Sequence, residues 1–110
     1  MQLDNDVKPS SFDIFTAYNA GVDHVISFGG VGLEDLPRLV HGVIFTRSGE
    51  NLKDSAIFIS GTSVSMGEVM LKTIREQIFF GARRVSIMAD PNGSNTTSAA
   101  AVLRIKQAVD

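Results

Sequence analysis

The spacing of hydrophobic and polar residues changes several times along the chain, and each change predicts a different element. Short β-branched or aromatic runs, bounded by glycine or polar residues, predict β-strands. These runs are residues 24–28 (HVISF), 42–46 (GVIFT), 56–60 (AIFIS) and 84–88 (RVSIM), with residues 1–3 as a possible further strand. The run AIFIS shows little alternation, which is typical of a strand that is covered on both faces.

Stretches with helical periodicity lie between and after these runs. Helices are predicted over residues 11–18, 35–40, 65–80 and 95–109. The first has Phe12 and Phe15 on one side together with Thr16. The third has an apolar residue every four positions, at Met66, Met70, Ile74 and Ile78. Ser65 and Glu68 fit a capping box at its start, and Gly81 is expected to end it.

This alternation of strands and helices predicts an α/β fold with a mainly parallel sheet. We expect three layers, α/β/α, around a sheet of four to five strands, in a single domain over residues 1–110. The segment 42–60 is an exception, because RSGENLKDS leaves no helical room between its two predicted strands. Those two strands could pair as a hairpin, which would make the sheet mixed.

Composition narrows the possible functions. At 110 residues, with 44% hydrophobic and 20% charged residues, the chain is long enough for one core. A net charge of −2 gives no basic excess for nucleic acid, and the absence of cysteine excludes disulfides and thiolate chemistry. With only two histidines, and no ligand-like spacing, no metal site is expected. No signal peptide opens the sequence and no apolar run approaches about 20 residues, so we expect a cytoplasmic protein.

The most polar junction is residues 90–97 (DPNGSNTT), between the last predicted strand and the last predicted helix. Ligands of open α/β sheets bind where the carboxyl ends of strands meet helix N-termini. Asp90 ends the strand, where a catalytic carboxylate is expected, and the amides and hydroxyls that follow could hold a ligand. The alternative is a loop in which Asp90 and Asn92 form turns and Asn95 caps the helix.

The other candidate site residues give weaker functional signals when each is considered alone. Asp13 and the pair Asp23-His24 are more often a solvated carboxylate and a hydrogen-bonded histidine than catalysts. The glycine-rich residues 27–32 (SFGGVG) follow a strand, but they lack the G-x-G-x-x-G pattern. Residues 60–63 (SGTS) are a donor-rich junction of low specificity. Arg47, at a predicted strand end, could hold a carboxylate, although an exposed turn arginine is the commoner case.

Five segments spread along the chain together resemble a known family. The resembling segments are DNDVKPSSFD (4–13), AYNAGVDHV (17–25), HGVIFTRSG (41–49), SAIFISG (55–61) and DPNGSNTTSAAA (90–101). They resemble the N-terminal domain of NADP-dependent methylene-tetrahydromethanopterin dehydrogenase, and the last segment is the most specific.

The resemblance implies a substrate-side domain like the N-terminal domains of amino-acid and methylene-tetrahydrofolate dehydrogenases. In that family the pterin lies in a cleft between this unit and a Rossmann domain that carries NADP, and methylene-tetrahydrofolate is an alternative substrate. Residues 90–97 would face the cleft. The implied substrate-binding residues are Asn92, Gly93, Ser94, Asn95, Thr96 and Thr97. Asp90 or Asp13 would supply negative charge for catalysis.

The family continues beyond the position of Asp110 into a strand and a glycine-rich NADP loop. We therefore expect that the cofactor-binding Rossmann domain is absent here, that no residue of this chain binds NADP, and that turnover needs a partner NADP domain. The alternatives are a non-catalytic pterin-binding or assembly module, and a homo-oligomerisation unit that keeps only the fold.

Overall fold

In a computed structural model of the protein, residues 1–91 are described, and their four short strands form one sheet. The strands are β1 (Gln2–Asp4), β2 (Ser27–Phe28), β3 (Ala56–Ser60) and β4 (Ser86–Ala89), in the spatial order β2-β1-β3-β4. Every pairing among these strands is parallel. The predicted α/β fold with a parallel sheet is confirmed. The predicted helix 95–109 lies outside the described residues.

Four helices connect and flank the strands. They are α1 (Ser11–Asn19), α2 (Leu36–Ile44), α3 (Gly49–Leu52) and α4 (Val64–Thr73). A 3-10 turn (Leu33–Asp35) leads into α2, and a π-helical turn (Ile74–Ile78) extends α4. No helix within this part of the chain is long and apolar enough to span a bilayer.

The prediction of a strand over residues 42–46 is wrong, because most of that run belongs to α2. Leu36, Val40 and Ile44 recur every four residues and are all fully buried, so the run is the C-terminal end of a helical stripe. The predicted hairpin and mixed sheet are wrong for the same reason. The linking segment also has room for α3, a single turn whose N-cap Ser48 accepts a hydrogen bond from the backbone N–H of Asn51.

For the long helix predicted over residues 65–80, the apolar stripe is confirmed and both predicted ends are wrong. Its N-cap is Ser63, whose hydroxyl accepts from the Met66 N–H at 3.2 Å, so Ser65 and Glu68 form no capping box. The helix ends at Ile78 with extended backbone at Phe79, before Gly81 is reached. A serine two residues earlier was available as the cap, and local spacing alone did not distinguish the two.

One face of the sheet carries the core. Leu3, Ile57 and Ile59 point to this face and are at most 1% exposed. They pack against α2, α4 and the π-helical turn, through side chains that are themselves buried: Leu36, Val40, Ile44, Met70, Ile74 and Ile78. The core therefore stabilises the sheet from this face. The loops that follow the strands meet at the carboxyl edge of the sheet.

Candidate functional site

The loops after the four strands converge at the carboxyl edge of the sheet, because parallel strands end on the same side. Asp4 ends β1 and lies in register with Ser60, which ends β3. Asp90 directly follows β4, and its backbone N–H donates to the Ile59 carbonyl at 3.0 Å. Residues with carboxylate and hydroxyl groups thus meet at one edge.

A chain of buried hydrogen bonds runs across the sheet face opposite the core. The Ser27 hydroxyl donates to Gln2 Oε1 at 2.6 Å, and Gln2 Nε2 donates to the Ser60 hydroxyl at 3.0 Å. The Ser60 hydroxyl donates in turn to Asp4 Oδ2 at 3.1 Å. Gln2, Asp4 and Ser60 are at most 3% exposed, so each partner is needed to compensate for lost hydration.

Asp4 connects this chain of hydrogen bonds to α1. Its Oδ1 accepts from the Asp6 N–H and its Oδ2 accepts from the Ser10 N–H, both at 2.8 Å. The Ser10 hydroxyl then caps α1 by accepting from the Asp13 N–H at 3.2 Å. A buried carboxylate at the end of β1 therefore fixes where α1 begins and where Asp13 lies.

Asp13 and Asp90 are brought together at this edge. Asp13 is half-buried in the first turn of α1, and Asp90 is buried. Burial raises the pKa of Asp13, and the negative charges of Asp90 and Asp4 raise this pKa further, while the hydrogen bond with Ser10 opposes the shift. The two residues predicted to supply negative charge are thus close enough to interact electrostatically.

A second aspartate, Asp6, lies in the loop after β1 and is hydrogen-bonded to the loops after β2 and β3. The Asp6 carbonyl accepts from the Gly30 N–H at 2.6 Å. The Asp6 carboxylate accepts from the Thr62 N–H at 3.0 Å and from the Thr62 hydroxyl at 2.9 Å. Gly61 has φ +126° and lies so close to Asn5 that a Cβ would come within 2.1 Å of its Oδ1. The Ser60 hydroxyl and both donors of Thr62 are therefore used within the protein.

The glycine-rich segment 27–32 is a packing element and does not form a phosphate loop. The backbone N–H groups of Gly30, Val31 and Gly32 all donate to oxygens of this chain, at 2.6, 3.0 and 2.9 Å. A Cβ at Gly29 would lie 2.1 Å from the Val7 carbonyl oxygen, so glycine is required there by close backbone approach. No N–H of these three residues is left to hold a nucleotide.

Two other candidates, the pair Asp23-His24 and Arg47, lie away from this edge. Asp23 and His24 are exposed. Arg47 follows α2 rather than a strand, and its Nε donates to the Asn51 carbonyl at 3.3 Å. Phe12 and Phe15 do share one side of α1, but they are 78% and 72% exposed. They line an open hollow of about 470 Å³ with Ser11, Thr16 and Asn19.

Two of the predicted site residues, Asp13 and Asp90, lie within the described residues and are near enough to interact electrostatically. The others lie outside the described residues: Asn92, Gly93, Ser94, Asn95, Thr96 and Thr97. Sequence reasoning gave no role to Asp4 and Asp6, which position the loops. No local pattern marked this role, because it depends on which N–H and hydroxyl groups the two carboxylates meet in the fold. Within residues 1–91, no three His, Cys, Asp or Glu side chains are grouped to hold a metal ion.

Comparison with known proteins gives consistent matches. The family model described as methylene-tetrahydromethanopterin dehydrogenase, N-terminal, matches residues 11–92. The bifunctional protein MdtA of Methylorubrum extorquens is 40% identical over 107 residues, which cover 97% of this chain and 37% of the relative. The NAD(P)-dependent methylenetetrahydromethanopterin dehydrogenase of the same organism is 32% identical over 100 residues, covering 91% of this chain and 33% of the relative.

The chain therefore spans about a third of the length of these two relatives. The family match includes α1 with Asp13 and extends through Asp90. Because the match covers most of the chain and agrees with the parallel α/β sheet, this protein belongs to the methylene-tetrahydromethanopterin dehydrogenase N-terminal domain family.

Proposed function

We propose that this chain is the substrate-side domain of a methylene-tetrahydromethanopterin dehydrogenase and binds a reduced pterin at the carboxyl edge of its sheet. Tetrahydromethanopterin and tetrahydrofolate are the two candidate substrates. In this proposal, hydride transfer to NADP takes place with the NADP bound to a Rossmann domain beside this one. The name of one relative, which calls it NAD(P)-dependent, supports this choice of cofactor.

The observation that carries the proposal is the electrostatic interaction of Asp13 with Asp90, which lies two residues before the segment 92–97. Asp90 directly follows β4, and Asp13 lies in the first turn of α1, whose start is held by the Asp4–Ser10 hydrogen bond. Two separate parts of the fold thus each contribute a carboxylate to this edge, which supports the proposal. Like charges held together destabilise each other, and this repulsion contributes to the raised pKa of Asp13. A cation bound beside the two aspartates would relieve the repulsion.

Oxidation of a methylene-pterin produces such a cation. When the carbon between two nitrogens loses a hydride, the remaining positive charge is shared over the N–C–N unit. NADP, when bound to its own domain, accepts the hydride. The role of Asp13 and Asp90 is then electrostatic, since preorganised negative charge stabilises the positive charge that develops in the transition state. No proton transfer is required of either residue.

The proposed pterin contacts come from the amide and hydroxyl groups of the segment after Pro91. Asn92, Asn95, Thr96 and Thr97 offer donors and acceptors that match the edge of a pterin ring, and Gly93 and Ser94 permit close backbone approach. The position of this segment, directly after β4 and a carboxylate that interacts with Asp13, supports the assignment.

The test of catalysis is Asp90→Asn in a protein that contains both this domain and the NADP domain. We expect the rate of hydride transfer to fall about a hundredfold, as when one preorganised electrostatic group is removed from an active site. Asp54→Asn is the matched control, because Asp54 is exposed and lies before β3, at the other end of the sheet. A variant with unchanged rate and unchanged pterin affinity would remove Asp90 from the site.

The test of binding uses the 110-residue chain alone. Calorimetric titration with a reduced pterin should give saturable heat, which is diminished by Asn95→Ala and preserved by Asp54→Asn. Binding without turnover after an NADP domain is added would instead support a non-catalytic pterin-binding module. Absence of any binding heat would contradict the proposal and favour a unit that keeps only the fold.

A further inference from the structure

A cationic hollow lies at the amino edge of the sheet, at the opposite end from the candidate site. It has a volume of about 360 Å³ and is lined by Gly49, Leu52, Lys53, Ala82, Arg83 and Arg84. These residues come from α3, which precedes β3, and from the turn that precedes β4. Three of the six lining residues are cationic and none carries a carboxylate, in a chain whose net charge is −2.

Both arginines are held in place by backbone carbonyls. Arg83 Nη1 donates to the Arg47 carbonyl at 2.7 Å and to the Ile44 carbonyl at 3.4 Å, at the C-terminal end of α2. Arg84 Nε donates to the Gly81 carbonyl at 3.1 Å. The Arg84 guanidinium also lies 5.8 Å from the centre of the Phe79 ring. Side chains fixed in this way lose less conformational entropy when they bind a ligand.

These contacts leave several donors of the two guanidinium groups available. Within residues 1–91, Arg83 uses only Nη1 and Arg84 uses only Nε in hydrogen bonds. Lys53 forms an ion pair with Glu50 at 3.5 Å, but the two side chains are 73% and 89% exposed. Such a pair contributes little and exchanges readily with a stronger anion. The structural roles of the arginines therefore do not exhaust their hydrogen-bonding capacity.

We propose that this hollow binds a phosphate monoester of a small organic molecule. A single carboxylate is satisfied by one guanidinium, whereas the oxygens and double charge of a phosphate monoester can use two arginines and a lysine together. The hollow is open to solvent, and Ala82 with the small exposed part of Leu52 supplies an apolar surface for the organic part of the ligand. The five residues of β3 separate the hollow from the carboxyl edge by roughly 15 Å, so this site is independent of the proposed pterin site.

The test is calorimetric titration of the 110-residue chain with adenosine 5′-monophosphate and, separately, with inorganic phosphate. We expect one saturable site for the ester and weaker binding of inorganic phosphate, which cannot use the apolar surface. Arg84→Ala and Lys53→Ala should each weaken ester binding about tenfold, as expected for a lost charge-assisted hydrogen bond. Glu50→Gln should strengthen it, because the competing carboxylate is removed. Lys72→Ala, at an exposed lysine of α4, is the control and should leave binding unchanged.

Three results would overturn the proposal. The first is the absence of saturable heat with the ester. The second is unchanged affinity in both Arg84→Ala and Lys53→Ala, with circular dichroism showing that at least one variant is folded. The third is an equal loss in Lys72→Ala, which would indicate diffuse charge attraction rather than a site. Equal affinity for inorganic phosphate and the ester would overturn the role assigned to the organic part.

Discussion

The two faces of the sheet are built from different chemistry. On the face covered by α2 and α4, Leu3, Ile57 and Ile59 are buried among aliphatic side chains. On the face where α1 begins, Gln2 and Asp4 are equally buried but are joined to Ser27, Ser60 and Ser10 by hydrogen bonds. The same strands therefore contribute a hydrophobic core on one side and a polar network on the other.

The difference indicates a division of roles between the faces. Apolar burial is non-directional and scales with area, so the first face supplies stability without fixing any single atom. Hydrogen bonds are directional and are costly when left unmade in the interior, so the second face fixes positions. The path from Asp4 through Ser10 to Asp13 is the clearest example, because it connects a buried strand to the candidate site.

The largest effect is expected from Ile59→Ala on the apolar face. Ile59 is fully buried, so removal of its side-chain methyl and methylene groups leaves a cavity and should lower the free energy of unfolding by about 3 kcal/mol. Urea denaturation measures this change. Val69→Ala, at a half-exposed position of α4, is the control and should cost less than about 1 kcal/mol. A cost for Ile59→Ala as small as that of the control would contradict the assignment of the core to this face.

A smaller effect is expected from Asp4→Asn on the polar face. The variant keeps one acceptor oxygen but places an NH₂ group against backbone or hydroxyl donors, so we expect a loss of about 2 kcal/mol. Its more specific consequence should be reduced hydrogen-exchange protection at the start of α1. If Asp4→Asn lowers stability while α1 keeps its protection, then Asp4 does not position the helix, and the proposed division of roles is wrong.

The smallest effect concerns the pH dependence contributed by Asp13. Because burial and the charges of Asp90 and Asp4 raise its pKa, the folded state holds this proton more tightly than the unfolded chain does. The free energy of unfolding should therefore fall as pH rises from the ordinary aspartate value, about 3.9, through the raised pKa of the folded state. Asp13→Asn should lack this loss. Its stability relative to the wild type should grow with pH across that window, by less than about 1 kcal/mol because Asp13 is partly exposed.

Chemical denaturation at a series of pH values checks the sign. An advantage of Asp13→Asn that grows toward acid pH would mean that Asp13 is stabilised in its charged form and does not repel Asp90. Asp90→Asn gives a second check, since it should reduce the pH dependence of the wild-type Asp13.

The elements that were predicted correctly are those whose local sequence pattern had a single interpretation. Residues 56–60 form β3 as predicted, because a short apolar run without alternation suits a parallel strand covered on both faces. The spacing of Met70, Ile74 and Ile78 correctly gave a buried helical stripe. Prediction failed at residues 42–46, where β-branched composition indicated a strand and the four-residue spacing from Leu36 indicated a helix. Only packing against the core decided between the two.

The candidate site was predictable in its parts and not in its arrangement. Asp13 and Asp90 could each be identified from sequence, but they are 77 positions apart (90 − 13), and no local pattern brings them together. Asp4 and Asp6 were not identified as positioning residues, because their value depends on which backbone N–H groups they meet. The exposure of Phe12 and Phe15 was also not predictable from their spacing, because α1 buries none of its residues.

The strand at residues 56–60, the apolar helical stripes and the family membership were determined by the sequence alone, because each is a property of local periodicity or of matching residues. The tertiary structure decided the strand order β2-β1-β3-β4, the polar network that joins β1 to β2, β3 and the start of α1, and the electrostatic interaction of Asp90 with Asp13. These features depend on contacts between residues distant in sequence, and their energies are set by burial and direction rather than by residue type.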